Sequence, residues 1–412
     1  MKIFKHLLVF LLMLKSISSF SDDFVYVSNY SDGTVSVIDI ASNNVVDTIP
    51  VGVNPFPINF TPDGQFVWAM NELNDNASVI DASTNTVDST TPIIGDAPRA
   101  FAFTPDGKLA YVANLDADNV SVIDTSSFAI VTTIPVELQP MGIAITPDGK
   151  SAYVANQGSV VLSVIDTASY AVVTTILVQV GANAIAITPD GKFAYVTNGI
   201  NGDVTVIDIE TNTVSGPPIP VGSSPEGIAI TPDGKFVYVT NLGSNDVYVI
   251  DTSTNTVIGA PIPVINRPIG IAITPDGKFA YVANFADHSI SVIDIATNTV
   301  SGPPIPVGSG PSYLTITPAS VLDIFNVSGY CKKNTFLTQT EYYNVIRWSA
   351  VTGSVTEYEI FRDGVLIGTV SATDKRQFED HNQKKGVTYS YLVVAKNGDS
   401  IIAQGTTTII CN

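Results

Sequence analysis

The sequence is poor in the residues that usually build metal and redox centres. Its 412 residues include only two cysteines, three histidines and two tryptophans. Haem sites and catalytic zinc sites draw on several His or Cys ligands, so this composition argues against both. Positive charge is also scarce, with 19 Lys and Arg against 38 Asp and Glu and a net charge of −19. That imbalance predicts no binding to nucleic acid, whose phosphate backbone is itself anionic.

Long apolar runs are missing beyond the N-terminus. Residues 1–21 begin with lysines, continue through the apolar run Leu7–Leu14 and end in small polar residues, a pattern typical of a secretory signal peptide. No later run approaches the roughly 20 apolar residues that a transmembrane helix needs. We therefore expect an exported protein that is secreted, periplasmic or displayed on the cell surface, without a transmembrane segment.

The two cysteines, Cys331 and Cys411, both lie in the last part of the chain. In an exported protein they are expected to form one disulfide bond. Such a bond would close a loop of about 80 residues and stabilise that region by roughly 4 kcal/mol in the chain-entropy model. Two buried thiols are the alternative.

An internal repeat fills most of the chain. The tetrapeptide TPDG begins at Thr61, Thr104, Thr146, Thr188, Thr231 and Thr274, at intervals of 43, 42, 42, 43 and 43 residues. A degenerate copy follows 43 residues later at Thr317 and Pro318. A period of this size with strand-type sequence inside it indicates a radial β array.

Each repeat contains four short alternating segments, typified by IAIT, YVTN, VTVID and a more variable fourth segment. Every type of segment occurs seven times, yet the chain enters at the second type and leaves on the first. The sequence therefore predicts an all-β fold in which residues 22–318 form a seven-bladed β-propeller of four-stranded blades. Its N- and C-terminal strands share one blade, which closes the ring.

On these motifs the chain resembles the YVTN-repeat β-propellers, exported proteins that include surface-layer and surface-antigen components. The resemblance covers about seven tenths of the chain. It implies the fold but no single activity, because similar seven-bladed propellers also include lactonases and quinoprotein-like domains.

Residues 319–412 have no such period, but their alternating segments indicate a β-sandwich. This region resembles a fibronectin type III module. The resemblance implies that Trp348 is the core tryptophan and that Tyr389 is the tyrosine-corner residue. It also implies that the first and last strands are neighbours, which would bring Cys331 close to Cys411.

Comparison of the seven repeats separates scaffold positions from candidate binding positions. The Asn that ends each YVTN segment and the Asp that ends each VID segment recur in every blade, so they are expected to stabilise turns. The residue that enters the first strand varies instead, and it lies on the face where ligand-binding loops are expected. The candidate binding residues are Phe56, Arg99, Met141, Asn183, Glu226, Ile269 and Ser312, together with His288 in a neighbouring loop.

No Ser/His/Asp set, phosphate-binding loop or DxDxDG calcium loop is present in the sequence. The leading hypothesis is therefore a secreted or cell-surface, non-catalytic interaction protein that binds a protein or carbohydrate ligand on the propeller face, without a cofactor. The alternative is a metal-dependent, lactonase-like hydrolase with its site at the channel mouth. Its candidate metal ligands are Asp116, Asp118, Glu226 and Asp287.

Overall fold

The computed structural model describes residues 24–318 and, after them, residues 323–324, 327–336, 339–348, 357–362, 365–371, 373, 375–385, 387–397 and 400–410. The predicted signal peptide lies outside the described residues. Asp22–Pro318 form one compact unit. Apart from a 3-10 turn at Phe285–Asp287, the regular elements of the described residues are β-strands. No helix in this part of the chain is long and apolar enough to cross a membrane.

Residues 24–318 form seven antiparallel sheets, which we number as blades 1 to 7. Blade 1 contains β1 (Phe24–Asn29), β2 (Thr34–Asp39), β3 (Asn44–Pro50) and β30 (Pro311–Ile316). Blade 2 contains β4 (Pro55–Phe60), β5 (Phe66–Asn71), β6 (Asn76–Asp81) and β7 (Thr86–Thr90). Blade 3 contains β8 (Pro98–Phe103), β9 (Leu109–Asn114), β10 (Asn119–Asp124) and β11 (Ile130–Pro135). Blade 4 contains β12 (Pro140–Ile145), β13 (Ser151–Asn156), β14 (Val161–Asp166) and β15 (Ala171–Leu177).

In two of the remaining blades the outermost strand is split. Blade 5 contains β16 (Ala182–Ile187), β17 (Phe193–Asn198), β18 (Asp203–Asp208), β19 (Thr213–Val214) and β20 (Ile219–Pro220). Blade 6 contains β21 (Pro225–Ile230), β22 (Phe236–Asn241), β23 (Asp246–Asp251) and β24 (Thr256–Pro263). Blade 7 contains β25 (Pro268–Ile273), β26 (Phe279–Asn284), β27 (Ser289–Asp294), β28 (Thr299–Val300) and β29 (Ile305–Pro306). The splits fall at Ser-Gly-Pro-Pro segments, because proline has no N–H to donate to the ladder.

The two ends of the propeller meet in blade 1. β30 pairs antiparallel with β1, with Val25 opposite Ile316 and Val27 opposite Leu314. Within each of the other six blades the strands are consecutive in sequence. The predicted fold class is therefore confirmed, including the number of blades and the shared closing blade.

The repeated polar residues hold the turns, as expected. In the TPDG turn of blade 5, Asp190 accepts a hydrogen bond from the Thr188 hydroxyl at 2.7 Å and from the backbone N–H of Lys192 at 3.1 Å. The Asn that ends the second strand is fully buried, and in the same blade Asn198 donates to Asp203 and Thr205. These bonds pair N–H groups of the turn and of the Asn198 amide, whereas Oδ1 of Asn198, like that of the equivalent Asn in five other blades, is buried without a hydrogen-bond partner.

Neighbouring blades are joined by apolar packing and by one recurrent hydrogen bond. The second strand of each blade is buried on both faces. In five blades its Tyr donates to an Asn in the outer hairpin of the next blade. The five pairs are Tyr26–Asn85, Tyr153–Asn212, Tyr195–Asn255, Tyr238–Asn298 and Tyr281–Asn43, at 2.5 to 2.8 Å. Each Asn has a positive φ, a conformation that Asn tolerates better than most residues. The last pair crosses the closure from blade 7 to blade 1.

Two blade junctions replace this pair by another contact. At the junction of blades 2 and 3, Trp68 has no hydroxyl, and Phe128 occupies the Asn position with its ring 5.6 Å from that of Trp68. At the next junction Tyr170 occupies the Asn position, and Tyr111 donates instead to the carbonyl of Thr167. At both junctions the residue in the second strand of one blade therefore still contacts the outer hairpin of the next blade.

The C-terminal region forms two further sheets. The five-stranded sheet has the order β31 (Asp323–Ile324), β38 (Ser400–Ile410), β37 (Thr388–Asn397), β34 (Glu357–Arg362) and β35 (Val365–Ser371). The three-stranded sheet has the order β32 (Val327–Phe336), β33 (Gln339–Trp348) and β36 (Gln377–Gln383).

The two C-terminal sheets share one apolar core. Trp348 and Ile346 from the three-stranded sheet pack with Ile360 and Val393 from the five-stranded sheet. The hydroxyl of Tyr389 accepts a hydrogen bond from the backbone N–H of Lys384 at 3.2 Å. Cys331 lies in β32 against this core, whereas Cys411 lies outside the described residues, so their pairing stays a prediction.

Candidate functional site

The centre of the propeller is lined by the first strands of the blades, which contact one another around a ring. In six blades this strand begins with Pro, and in all seven the pairing register shifts directly after the first residue. Such bulges change the direction of a side chain without ending the strand. The residue at the bulge is the variable one predicted from the sequence.

We call the face that carries these bulges the mouth face. It also carries the loops between the second and third strands, and each of these loops is hydrogen-bonded through its backbone to the loop that precedes the first strand of the same blade. In blade 4, for example, the backbone N–H of Gln157 donates to the carbonyl of Gln139 at 2.8 Å. Side chains from both sets of loops therefore reach the same central area.

Arg99 is held at the mouth by two neighbours in blade 2. Its guanidinium pairs with the Glu72 carboxylate at 3.0 Å and lies over the Phe56 ring, 4.5 Å from the centroid. Both charged side chains are largely buried, with 21% of Arg99 and 12% of Glu72 exposed. Nε of Arg99 and Oε2 of Glu72 are buried without a protein partner, so each retains the capacity for another hydrogen bond.

Four aromatic rings form one side of the mouth, and we call them the aromatic wall: Tyr30, Phe56, Phe285 and Tyr313. The ring of Phe56 lies 5.0 Å from that of Tyr313 and 5.9 Å from that of Tyr30. Tyr30 in turn lies 6.3 Å from Phe285. These rings come from blades 7, 1 and 2.

Three polar side chains form the opposite side, and we call them the polar wall: Gln157, Asn183 and Glu226. Gln157 donates to Oδ1 of Asn183 at 2.8 Å, and Asn183 donates to Oε2 of Glu226 at 2.8 Å. Asn183 also donates to the carbonyl of Pro225 at 3.2 Å. All hydrogen-bonding atoms of the Asn183 amide are therefore engaged, and they fix one oxygen of Glu226.

Glu226 has a strongly perturbed acidity. Burial among the surrounding blades raises the pKa of its carboxyl group to about 7, although Arg99 and the Asn183 hydrogen bond oppose that rise. Burial also raises the pKa of Tyr313, and the nearby Glu226 carboxylate adds to the effect. Tyr313 therefore stays neutral beside a carboxyl group that changes charge near neutral pH.

This arrangement has the parts of an acid–base site. A carboxyl group with a pKa near 7 can accept and return a proton at neutral pH. A guanidinium in the same mouth can stabilise negative charge that develops on an oxygen. Arg99 and Glu226 act on each other electrostatically without forming an ion pair, because Arg99 pairs with Glu72 instead.

Other predicted binding residues are placed differently. Ser312 is fully buried, and its hydroxyl lies 3.0 Å from that of Ser28 at the junction of blades 1 and 2. Ile269 is also buried, and Met141 is partly buried in blade 4. Nδ1 of His288 accepts a hydrogen bond from the backbone N–H of Gly310 at 3.0 Å, so this residue supports a loop.

The four alternative metal ligands are not brought together. No three His, Cys, Asp or Glu side chains of the described chain form a group that could hold a metal ion. Asp118 accepts from the backbone N–H of Gln139 in blade 4, and Asp287 accepts from that of Asn266. Asp116 is exposed. Asp116 and Asp118 share a loop of blade 3, whereas Glu226 belongs to blade 6 and Asp287 to blade 7, so the four side chains do not form a cluster.

Two mouth residues, Tyr30 and Tyr313, were missed in the sequence. Tyr313 stands two residues after the proline of its first strand, where the other six blades have Pro, Ala or Gly. Small residues are needed there because neighbouring blades approach closely: a Cβ on Gly227 would lie 2.2 Å from the carbonyl oxygen of Ile269. Tyr313, the one large residue at this position among the seven blades, was therefore the feature of the sequence that could have indicated the site.

The chain is similar to a family of known propellers. The family model described as lactonase, 7-bladed β-propeller, matches residues 57–127 and 164–258. Together these segments make up less than half of the chain. No curated protein sequence matches the chain.

Solved structures of several propellers are also similar. Hydrazine synthase from Kuenenia stuttgartiensis has 29% sequence identity and a TM-score of 0.59, with 64% of this chain and 90% of that one covered. Candidate 6-phosphogluconolactonases from Bacteroides fragilis and Bacteroides uniformis have 20% and 19% identity and TM-scores of 0.61 and 0.63. Each comparison covers 72% of this chain and 99% or 100% of the other. At this identity the last two show a shared fold.

Proposed function

We propose that the protein hydrolyses a lactone at the mouth of the propeller channel. The observation that carries the proposal is the Glu226 carboxyl group, with its pKa near 7, in the same mouth as the Arg99 guanidinium. The similarity to the seven-bladed lactonase family supports this reaction class over a purely non-catalytic role. The metal ligand set expected from the sequence forms no part of the proposal.

The reaction assigns a separate role to each charged group. Ionised Glu226 accepts a proton from a water molecule as its oxygen attacks the lactone carbonyl carbon. Arg99 stabilises the negative charge that develops on the carbonyl oxygen. The ring C–O bond then breaks, and the proton held by Glu226 passes to the departing alkoxide to give the hydroxy acid.

Substitution of Glu226 by Gln tests the reaction. Purified protein is assayed with a panel of five- and six-membered lactones, and acid release is followed with a pH indicator and corrected for spontaneous hydrolysis. Loss of the general base in Glu226→Gln should lower kcat about 100-fold or more. For the wild type, kcat/KM should rise with pH to a plateau above about 7, as Glu226 ionises.

The matched control is Asp116→Asn, which removes one carboxylate from an exposed position of the same face. It should retain the wild-type rate. Equal rates in wild type and Glu226→Gln across the panel would refute the proposed role of Glu226.

An interaction platform for a protein or carbohydrate is the second candidate function. It is favoured by large apolar side chains on the loops of the mouth face, including Val53, Leu73, Leu138 and Ile200, which are 50% to 69% exposed. Exposed apolar groups of this kind often mark interaction surfaces. If this surface binds a partner, Leu73→Ser with Ile200→Ser should abolish capture of that partner and leave lactone hydrolysis unchanged.

Export and the finer family assignments are part of the same proposal. We propose that residues 1–21 are removed on export, that residues 22–318 are a YVTN-type propeller and that residues 319–412 are a fibronectin type III-like module. The packing of Trp348 and the Tyr389 hydrogen bond support the last assignment. N-terminal sequencing of the mature protein and a thiol count with and without reductant test the export and the Cys331–Cys411 bond.

A further inference from the structure

We infer that the mouth accepts an uncharged, polyhydroxylated ring of the sugar-lactone type and discriminates against its phosphorylated counterpart. The inference rests on the proposed lactone hydrolysis for its chemistry, but the recognition itself follows from the two walls and from the distribution of charge.

The aromatic wall suits the apolar face of a sugar ring. Tyr30, Phe285 and Tyr313 are only partly buried, whereas Phe56 is buried. The guanidinium of the exposed Arg267 lies over the Phe285 ring, 5.5 Å from its centroid. The C–H groups on one face of a sugar ring pack well against aromatic surfaces, and the hydroxyl groups then point away from them. Those hydroxyl groups would face the polar wall.

The polar wall offers mainly hydrogen-bond acceptors. Asn183 is fully engaged with Gln157, Pro225 and Glu226, so it orients its neighbours and does not contact the ligand as a donor. The second oxygen of Glu226 and the side-chain carbonyl of Gln157 can accept from hydroxyl groups. A phosphate group has only acceptor oxygens when ionised, so the second N–H of the Gln157 amide is the one donor that this wall could offer it, beside the Glu226 carboxylate.

The mouth face is also strongly acidic. All five lysines of the propeller lie on the opposite face, where each pairs with the Asp of its own TPDG turn at 2.7 to 3.1 Å. The mouth face has two arginines, of which Arg99 is neutralised by Glu72 and Arg267 is exposed. Its loops carry Asp32, Glu72, Asp75, Asp96, Asp116, Asp118, Glu137, Asp203, Asp246 and Asp287. This field repels an anionic substrate on approach.

The test compares D-glucono-1,5-lactone with its 6-phosphate, with correction for spontaneous opening. The wild type should prefer the neutral lactone by at least tenfold in kcat/KM. Glu72→Gln keeps the side-chain shape but removes the charge that neutralises Arg99, so it should lower this preference at least threefold. Asp116→Asn removes the same charge from the exposed rim and should leave the preference closer to the wild-type value.

A binding measurement separates this inference from the hydrolysis proposal. The non-hydrolysable lactam of gluconic acid is titrated calorimetrically into the full-length protein and into Phe285→Ala, whose folding is checked by thermal unfolding. Binding that Phe285→Ala weakens at least fivefold would support the inference even if no lactone were opened. Preferred turnover of the phosphorylated lactone would overturn the inference and leave hydrolysis standing. Neither binding nor turnover of the two rings would overturn both.

Discussion

At the residue scale, similar polar positions on the mouth face have different roles. His288 and Glu226 were both candidate ligand-binding residues, yet His288 accepts a backbone hydrogen bond whereas Glu226 belongs to the polar wall. Position 288 has equivalents in three other blades, where Asp75, Asp118 and Asn245 accept from the residue that precedes the next first strand. A hydrogen-bond acceptor at this position therefore holds the loop that precedes the next first strand.

Substitution of His288 tests that assignment. His288 has a φ of +52°, in the left-handed region, where Asn is tolerated well. His288→Asn should keep the free energy of unfolding within about 0.5 kcal/mol of the wild type, because Asn can supply both the conformation and the acceptor. His288→Leu should cost about 1 to 2 kcal/mol through the lost hydrogen bond and backbone strain. Urea unfolding measures both; equal stability of the two variants would contradict the role.

Glu226 imposes a cost on folding that depends on pH. Its pKa is raised from 4.5 to about 7 in the folded protein, so the folded state binds more protons than the unfolded state between these values. The free energy of unfolding must then fall as pH rises through this interval. Glu226→Gln removes this pH dependence. As pH rises from 4.5 to 8, its free energy of unfolding should increase by about 1 to 3 kcal/mol relative to that of the wild type. Urea unfolding at several pH values measures the gain, and a difference independent of pH would contradict it.

At the element scale, one recurrent side-chain pair joins neighbouring blades at six of the seven junctions. The common pair is a Tyr hydroxyl and an Asn carbonyl, worth about 0.5 to 1.5 kcal/mol. Trp68 and Phe128 replace it by an edge-to-face aromatic contact of similar value. At this junction both residues of the Tyr–Asn pair are replaced, so a contact between the blades is kept. Replacement of only one of the two residues would not keep a matched pair.

A double-mutant cycle at this junction should reveal coupling between the blades. Trp68→Tyr reduces the aromatic contact and leaves the new hydroxyl without an Asn partner, whereas Phe128→Asn removes the contact. Together the two substitutions create the hydrogen-bonded pair found at five other junctions. We expect the double variant to be more stable than the sum of the single effects by about 1 to 3 kcal/mol. The reverse exchange, Tyr195→Trp with Asn255→Phe, serves as the matched comparison. Strict additivity in urea unfolding at both junctions would refute the pairing.

Much of the fold could be predicted from the sequence because it depends on contacts within one repeat. TPDG turns, alternating strands and closing Asn residues act over a few positions, and their number gave the number of blades. The site depends on other relations. Gln157, Asn183 and Glu226 are separated by 26 and 43 residues and meet only because the ring places their blades side by side. The sequence identified the variable positions but not which of them are in contact.

At the scale of the whole molecule, carboxyl groups on the two faces of the propeller have pKa values shifted in opposite directions. The face with the TPDG turns pairs each lysine with an aspartate and stabilises the carboxylates, and hydrogen bonds from Thr146 and Lys150 lower the pKa of Asp148 to about 2. The mouth face holds Glu226, the carboxyl group whose pKa burial raises to about 7. Ionised carboxylates therefore stabilise the fold at the face with the TPDG turns. At the mouth face the fold is more stable when Glu226 is protonated.

This division predicts an acidic optimum of stability for the propeller. Carboxylates with lowered pKa values stabilise the fold at pH values above 3.8, their ordinary pKa. They include Asp124, Asp148 and Asp233, whose pKa values are about 2. That contribution is lost as pH falls from about 4 to about 2. Glu226 acts in the opposite direction and lowers stability as pH rises from about 4.5 to about 7. The free energy of unfolding should therefore be largest near pH 4 to 5, below the range of most proteins.

Thermal unfolding of the full-length protein from pH 2 to pH 9 measures this profile. The decline on the acidic side should remain in Glu226→Gln, because it arises from the turn aspartates, whereas the decline on the neutral side should become shallower. A wild-type maximum at pH 7 or above would contradict the assignment of Glu226, since a carboxyl group that is harder to ionise in the folded state can only reduce stability there. A maximum that moves upward in Glu226→Gln would instead tie the pH dependence of the whole propeller to the one acid at its mouth.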